Sequence, residues 1–405
     1  MAKILWIGDG GCVTGFGRVT HAIGERLVEK GHDVSVLAFN YRGDHWPTSL
    51  KLYRPDVIKS GDVWGKTRYI ELLGKVEPDV VVMLHDANLL INLLTENSYD
   101  PDKILLRYRP ILTYIPVDGT NRPPGWDAFL STVTNVVTMS KFGQAAFTGS
   151  KLVYHGVDGN EFWPVSPERP VITSTGVVCT TKAECKEAFG RDPDTFLILR
   201  VDKNSGRKDW PATIKALWPV MKRHEDIRVH LHTEARNDSG VLLDALLSRE
   251  PDLHDRFSTP DLFNSFEGWA QQDLNALINS SDLFVSTSRG EGFGLNLAEA
   301  LMCGVPVIAQ NVSAIPEVVG PGGVLIEPLD RLITVPSGQD LWLADIDAFS
   351  EAIEQLYLDS STRQFLGMAG REHVVQSFSW DVAADRFGEY INALAAGEPV
   401  TAAIA

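Results

Sequence analysis

Short apolar runs rich in β-branched residues alternate with amphipathic stretches along nearly the whole chain. That rhythm predicts a parallel sheet with helices on both faces. In the first half the runs place strands at Ile4–Ile7, Asp33–Ala38, Asp79–Leu84, Ile111–Ile115, Asn135–Met139 and Lys151–Tyr154. Helical stretches fall between them, for example Thr20–Lys30, closed by Gly31. The turn-rich segment His155–Pro164 interrupts the pattern, and Ser166–Thr175 reads as a linker. A second series follows, with strands at Phe196–Val201, Val229–His232, Leu283–Ser286 and Val305–Ala309 and a helix from about Pro211. A last amphipathic helix is expected near Trp380–Ala395. Two doubly wound α/β domains follow from this reading, with ligands expected where the carboxyl ends of their strands meet in a cleft.

Length and composition agree. A chain of 405 residues exceeds one ordinary core, and 44% hydrophobic with 22% charged residues is the balance of a globular protein. No apolar run reaches the roughly 18 residues that span a bilayer. The opening Met-Ala-Lys-Ile-Leu-Trp-Ile-Gly reads as a buried strand and not as a signal peptide. Four cysteines without C-x-x-C spacing argue for reduced thiols, so a cytoplasmic location without a stable membrane span is expected. A formal net charge of −16 disfavours sequence-independent binding to nucleic acid or anionic membrane.

The richest stretch is Ser288-Arg-Gly-Glu-Gly-Phe-Gly-Leu-Asn-Leu-Ala-Glu299. It places Glu291 in a glycine-bracketed loop before a helix and Glu299 about one turn inside it. Backbone amides near Gly292 and Gly294 have little side-chain cover there, and a helix N-terminus favours an anion. Two acceptor carboxylates beside an anion site suit a ligand that carries hydroxyls and phosphate together. Lys203-Asn-Ser-Gly-Arg-Lys208 follows the strand that ends near Val201. It is either a solvated loop or a cluster that neutralises a diphosphate. Gly8-Asp-Gly-Gly-Cys-Val-Thr-Gly-Phe-Gly17 follows the first strand. It does not fit G-x-G-x-x-G in register, because Val13 or Thr20 occupies the third glycine position. It is either a flexible connection or a phosphate approach, and a nicotinamide dehydrogenase is disfavoured. Asp118, in Tyr114-Ile-Pro-Val-Asp-Gly119, is either a turn residue or a cleft residue. His85 is expected to cap or pack. His230 and His232 lack a third ligand at zinc spacing. Trp126 is a candidate sugar-stacking residue.

With these residues in view, the chain resembles the retaining glycosyltransferases of the GT-B fold, in particular glycosyltransferase family 4. Glu291 to Glu299 fits the family's Glu-x7-Glu motif and Ser288 its preceding serine. Similar segments are Asp282-Leu-Phe-Val-Ser-Thr-Ser, Gly304-Val-Pro-Val-Ile, Ser140-Lys-Phe-Gly, His155-Gly-Val-Asp158 and Phe378-Ser-Trp380. The resemblance implies two Rossmann-like domains facing a central cleft. An acceptor-side domain would span 1–168 and a nucleotide-sugar donor domain 169–378. Residues 379–405 would form a helix crossing back to the N-terminal domain, plus a tail.

The resemblance also implies roles. Glu291 contacts the donor sugar, Glu299 the nucleotide ribose, and Gly292, Phe293, Gly294 and Leu295 line the donor. Lys208 matches the diphosphate-binding lysine. Lys203 stands where the family usually has arginine, so Arg200 or Arg207 is the alternative second cation. Gly15 and Gly17 match the glycine loop near the diphosphate. Asp118 stands where many members carry a cleft histidine, and with Glu291 and Lys208 it completes the expected catalytic set.

The implied activity is retaining, metal-independent transfer of a hexose from a nucleotide-diphosphate sugar, with no other cofactor. Cations and amides would stabilise the leaving diphosphate. The acceptor stays open among glycan, protein, small molecule, lipid and modified nucleic acid. A GT-B sugar-nucleotide epimerase and a catalytically silent sugar-nucleotide-binding protein are the alternatives.

Overall fold

A computed structural model describes residues 1–55, 62, 64–94, 110–131, 133–237, 239–261, 263–264, 266–334 and 338–400. The chain divides into two compact units. The first comprises Met1–Gly156, Thr334–Gln339 and Ser379–Ala405, and the second Val157–Ile333 and Asp340–Phe378.

The first unit is built on a parallel sheet of seven strands: β1 (Lys3–Asp9), β2 (Asp33–Phe39), β3 (Lys51–Tyr53), β4 (Val80–Leu84), β5 (Ile111–Ile115), β6 (Asn135–Thr138) and β7 (Lys151–Leu152). Their order is β3-β2-β1-β4-β5-β6-β7. Strand β1 thus pairs on one side with β2 (Ile4↔Val34) and on the other with β4 (Ile4↔Val80). The apolar run Val80–Leu84 and the segment Ile111–Ile115, apolar apart from Thr113, are buried throughout, as strands covered on both faces require.

The helix Gly15–Glu29 starts earlier than the expected Thr20. Thr14 caps it by accepting a hydrogen bond from Gly17 N at 3.2 Å, which offsets the poor helix propensity of Gly15 and Gly17. The last helix, Trp380–Ala395, packs on it through Arg26–Asp381 and Lys30–Asp385 ion pairs, both 2.6 Å. Phe387 fills the space beneath, with ring centroids 5.9 Å from Trp6 and 4.9 Å from Tyr114. The burial comes mainly from these aromatic rings, since exposed ion pairs contribute little.

The second unit opens with a small antiparallel pair, β8 (Val171–Ile172) and β9 (Val178–Cys179). Strand β8 lies inside the segment expected to be linker. The main sheet is again parallel: β10 (Phe196–Val201), β11 (Ile227–His232), β12 (Phe257–Ser258), β13 (Leu283–Ser286), β14 (Val307–Gln310) and β15 (Gly323–Ile326), in the order β12-β11-β10-β13-β14-β15. Ile227, Val229 and Leu231 point into a core shared with Trp210, Ile214 and Leu217 of the helix Trp210–Arg223 and Phe349 and Ile353 of the helix Ile346–Leu358. An antiparallel hairpin of β16 (Pro328–Ile333) and β17 (Asp340–Ala344) follows, which the alternating pattern did not anticipate.

Both units are α/β and doubly wound, and in both the strand order reverses beside the first long strand. The reversal lies between β1 and β4 in the first unit and between β10 and β13 in the second. Loops leaving the two strands at such a point splay apart, which opens a crevice at their carboxyl ends. No helix among the described residues is long and apolar enough to cross a membrane.

Candidate functional site

The second unit's reversal point brings together the loops after β10 and β13. A single 3-10 turn, Gly206–Lys208, follows β10 and ends at Asp209, whose φ of +50° is left-handed for a non-glycine residue. Three contacts from the β13 loop hold that conformation. Thr287 Oγ1 donates to Asp209 O at 2.8 Å, Arg289 Nε pairs with Asp209 Oδ2 at 3.0 Å, and Arg289 N donates to Arg207 O at 2.9 Å. Such a backbone costs of order 1–3 kcal/mol, so it persists only where its surroundings over-determine it. Its effect here is to fix Lys208 against the glutamate loop.

Glu291 is the centre of the arrangement. Its side chain is buried, yet three groups surround the carboxylate. Lys208 Nζ lies 2.5 Å from Oε1, Ser288 Oγ donates to the same oxygen at 2.6 Å, and Arg207 Nη1 lies 2.9 Å from Oε2. Arg207 Nη1 also donates to Gly290 O. Lys208 Nζ is shared with Asp202 Oδ1 at 2.7 Å, and Glu291 N donates to Ser313 Oγ at 2.8 Å. Burial pushes the Glu291 pKa up. Arg207 and Lys208, with the hydrogen bonds of Lys208 and Ser288, outweigh it and hold the carboxyl well below the usual carboxylate range. Glu291 is therefore a permanent hydrogen-bond acceptor at neutral pH and not a proton donor.

The other basic residues separate by position. Arg200 sits within β10 with its side chain 1% exposed. It donates to Thr213, to Thr287 at 3.1 Å, to Lys208 O and to Asp202 at 3.2 Å, and its guanidinium lies 4.3 Å from the Trp210 ring centroid. All of these partners lie inside the unit, so Arg200 braces the loop that carries Lys208. Lys203 is exposed, with Nζ 5.5 Å from the Phe266 ring centroid.

The helix Leu295–Met302 begins after Gly294, whose φ of +107° is one that side-chain-bearing residues rarely adopt. No side chain caps that end. Asn296 Nδ2 donates to Val201 O at 2.7 Å and ties the helix start to the end of β10. Glu299 is buried on the helix, one turn in, and Phe293 packs edge-on against Phe378 with centroids 5.1 Å apart. Glu291, Glu299, Gly292, Phe293, Gly294, Leu295, Lys203, Arg200, Arg207 and Lys208 all belong to the second unit.

Gly15, Gly17 and Asp118 belong to the first. A Cβ on Gly17 would stand 2.1 Å from Cys12 O, so the tight entry into the first helix needs glycine there. Nothing crowds Gly15. Thr14 Oγ1 donates to Asp9 Oδ2 at 2.6 Å and fixes the loop from below. Asp118 follows β5 and lines a cleft of about 420 Å³ together with Asp86, Trp64 and Trp126. Trp126 is a buried wall whose Nε1 donates to Asn88 Oδ1 at 2.7 Å. His85 packs among Phe16, Phe39 and Trp64. His230 and His232 lie buried under Trp269. Among the described residues, no group of three or more His, Cys, Asp or Glu is placed to hold a metal ion.

Asp202 and Ser313 were not singled out from the sequence. An acidic residue immediately after a strand and beside a cation cluster is a usable signal for Asp202. Ser313 reaches Glu291 only through the fold, from the loop after β14, and no local pattern marks it.

Residues 207–359 match the family model described as glycosyl transferases group 1, which takes in Arg207, Lys208, Glu291 and Glu299. The chain is similar to the O-antigen chain mannosyltransferase B of Escherichia coli, at 36% identity over 28% of this chain and 28% of that protein. It is also similar to a GDP-mannose-dependent monoacylated alpha-(1-6)-phosphatidylinositol monomannoside mannosyltransferase of Corynebacterium glutamicum, at 25% identity over 65% of this chain and 62% of that protein. In both cases the match spans less than two thirds of the relative's length. Among solved structures, the sucrose-phosphate synthase of Thermosynechococcus elongatus superposes with a TM-score of 0.72 over 98% of this chain and 99% of that one, at 19% identity. The chain therefore has the GT-B fold, matches the glycosyl transferases group 1 model over residues 207–359, and resembles the glycosyltransferases of family 4.

Proposed function

We propose that this protein is a glycosyltransferase that moves a hexose from a nucleotide-diphosphate sugar to an acceptor hydroxyl with retention of anomeric configuration. The observation that carries the reading is the Glu291 carboxylate held between Lys208 and Arg207 at the second unit's reversal point. In this reading Glu291 accepts hydrogen bonds from the donor sugar's hydroxyls, and Glu299 does the same for the ribose. The amides of Gly292, Phe293 and Gly294 meet the sugar or the phosphates at a helix N-terminus.

Lys208 and Arg207 neutralise the departing diphosphate by giving up part of their contact with Glu291 and Asp202. Arg207, not Lys203 or Arg200, is the second cation of the proposal. Arg200 is spent inside the unit, and Lys203 stands outside the Glu291 cluster. Because these cations supply the charge, the proposed transfer needs no divalent ion. Retention follows from attack on the sugar face that the diphosphate leaves, with the diphosphate itself drawing the acceptor proton. Glu291 is too firmly ionised to serve as an acid.

A thermal-shift screen of GDP-mannose, UDP-glucose and ADP-glucose tests the donor class. One of them should raise the melting temperature of the native chain and not that of Lys208→Met. Equal shifts in both proteins, or none in either, would remove the assignment.

A further inference from the structure

Lys208 is held by two carboxylates. Its Nζ lies 2.5 Å from Glu291 Oε1 and 2.7 Å from Asp202 Oδ1. Asp202 is the first residue after β10, with its side chain 4% exposed, and its other oxygen lies 3.2 Å from Arg200 Nη2. The two carboxylates are not equivalent. Glu291 is served by Arg207 and Ser288 as well, and it stands in the loop after β13. Asp202 stands on the cation loop itself. Arg200 directs its remaining bonds to the neutral groups of Thr213, Thr287 and the Lys208 carbonyl. Bracing by Arg200 therefore leaves unexplained why a second carboxylate sits on the Lys208 ammonium.

Charge gives the reason. Lys208 and Arg207 carry two positive charges, and Asp202 and Glu291 carry two negative ones, so the four residues cancel. A diphosphate that approaches Lys208 competes with Asp202 for the same N–H donors and is repelled by its charge. In a partly desolvated site, repulsion at that range changes affinity by about tenfold or more. It also grows with the charge of the ligand. The diphosphate of a nucleotide sugar carries about two negative charges. A free nucleoside diphosphate carries about one more, on a terminal phosphate whose second pKa is about 6. Asp202 thus weighs more against the product than against the donor, which is discrimination by an unfavourable element.

We propose that Asp202 is a built-in competitor for the Lys208 ammonium, which keeps the diphosphate weakly held and favours release of the nucleoside diphosphate product. This inference rests on the glycosyltransferase reading above and adds a means of regulating the same site. Asp202 is a positioning residue, because it acts through Lys208.

The test is Asp202→Asn, which removes the charge and keeps an oxygen for Arg200. UDP, GDP and ADP, with UDP-glucose, GDP-mannose and ADP-glucose, are titrated by calorimetry against the full native chain and the variant at about pH 8. The nucleoside diphosphate of the donor that binds should bind the variant at least about tenfold more tightly than it binds the native chain. The donor itself should tighten by a factor at least about twofold smaller, in line with its lower charge. Asp202→Glu restores the carboxylate and should return the product affinity to within about threefold of native. Asp202→Ser, a second neutral replacement, carries the same expectation as Asp202→Asn if that variant does not fold, and melting temperatures report folding separately. A carboxylate that served only the fold would, once lost, weaken both ligands.

Unchanged or weaker nucleoside diphosphate binding in the folded neutral variants, with the native chain still consuming donor, overturns this inference and leaves the glycosyltransferase reading standing. Equal tightening of donor and product overturns the role in product release. A native chain that binds neither nucleotide sugar nor nucleoside diphosphate overturns both readings.

Discussion

Lys208 Nζ lies 2.5 Å from Glu291 Oε1 across 83 positions of sequence, and both side chains are buried. The pair exists because β10 and β13 are neighbours although the chain visits two other strands between them. A buried ion pair of this kind seldom adds net stability over an apolar pair, but removing one partner leaves the other charge uncompensated. Its presence at a strand-end crevice is better explained by what the two groups bind.

The pair should therefore be strongly coupled. Lys208→Met alone strands Glu291 and Asp202 and should destabilise the second unit by about 2–4 kcal/mol, part of the loss being offset by Arg207 and Ser288. Glu291→Gln alone should cost less. In a double-mutant cycle followed by urea unfolding, the coupling is expected at about 1–3 kcal/mol. A coupling near zero would mean that the two groups do not share charge in solution.

Arg207 and Lys203 should behave differently in catalysis. Removing a preorganised cation from a leaving group costs about 10²–10³ in kcat, which is the expectation for Arg207→Ala. Lys203→Ala, with its ammonium outside the Glu291 cluster, should change kcat less than about threefold. Steady-state kinetics with the donor found by thermal shift distinguishes them. The reverse ranking would hand the diphosphate to Lys203.

Arg200 should act on stability first. Arg200→Ala removes a buried guanidinium from Thr287, Asp202, Thr213 and the Lys208 carbonyl. A loss of about 3–5 kcal/mol in urea unfolding is expected. A loss below 1 kcal/mol would show that the β10 end does not depend on it.

How much of this was legible in the sequence depends on what each residue's position is decided by. Ile111–Ile115, Phe196–Val201 and Leu283–Ser286 are strands at the expected residues, because a short, mostly apolar run covered on both faces has few other fates. The first helix was misplaced by five residues because propensity argued against Gly15 and Gly17, while the Thr14 cap decided the start. The hairpin of β16 and β17 escaped because β16, Pro-Leu-Asp-Arg-Leu-Ile, lacks a continuous apolar run and pairs antiparallel. At the site, Glu291 and Lys208 could be singled out by local pattern. That Arg207 and Lys208 grip opposite oxygens of Glu291 depends on strand order and could not be read locally.

The buried histidines give the fold a pH limit. Burial lowers the pKa of His232 to about 4, with Arg191 adding to it, and burial then Arg191 and His232 depress His230 as well. Both are neutral in the folded chain, whereas the unfolded chain takes up protons below about 6.5. The unfolded state therefore binds more protons between about pH 6.5 and 4, and stability falls as pH is lowered through that window, by about 1 kcal/mol per pH unit for each such group. Melting temperatures at pH 7 and pH 5 check this, and His232→Gln should flatten the slope. A slope unchanged in that variant would assign the acid sensitivity elsewhere.

The central claim is that Lys208, Arg207 and Glu291 together activate a nucleotide-diphosphate sugar. Its most direct measurement is phosphorus-31 NMR of the native chain and of Lys208→Met, each with a donor from the screen and a panel of sugar, lipid and peptide acceptors. The account predicts release of nucleoside diphosphate by the native chain and a rate at least a hundredfold lower in the variant. Equal rates in the two proteins, or an unconsumed donor with every nucleotide tried, would contradict it.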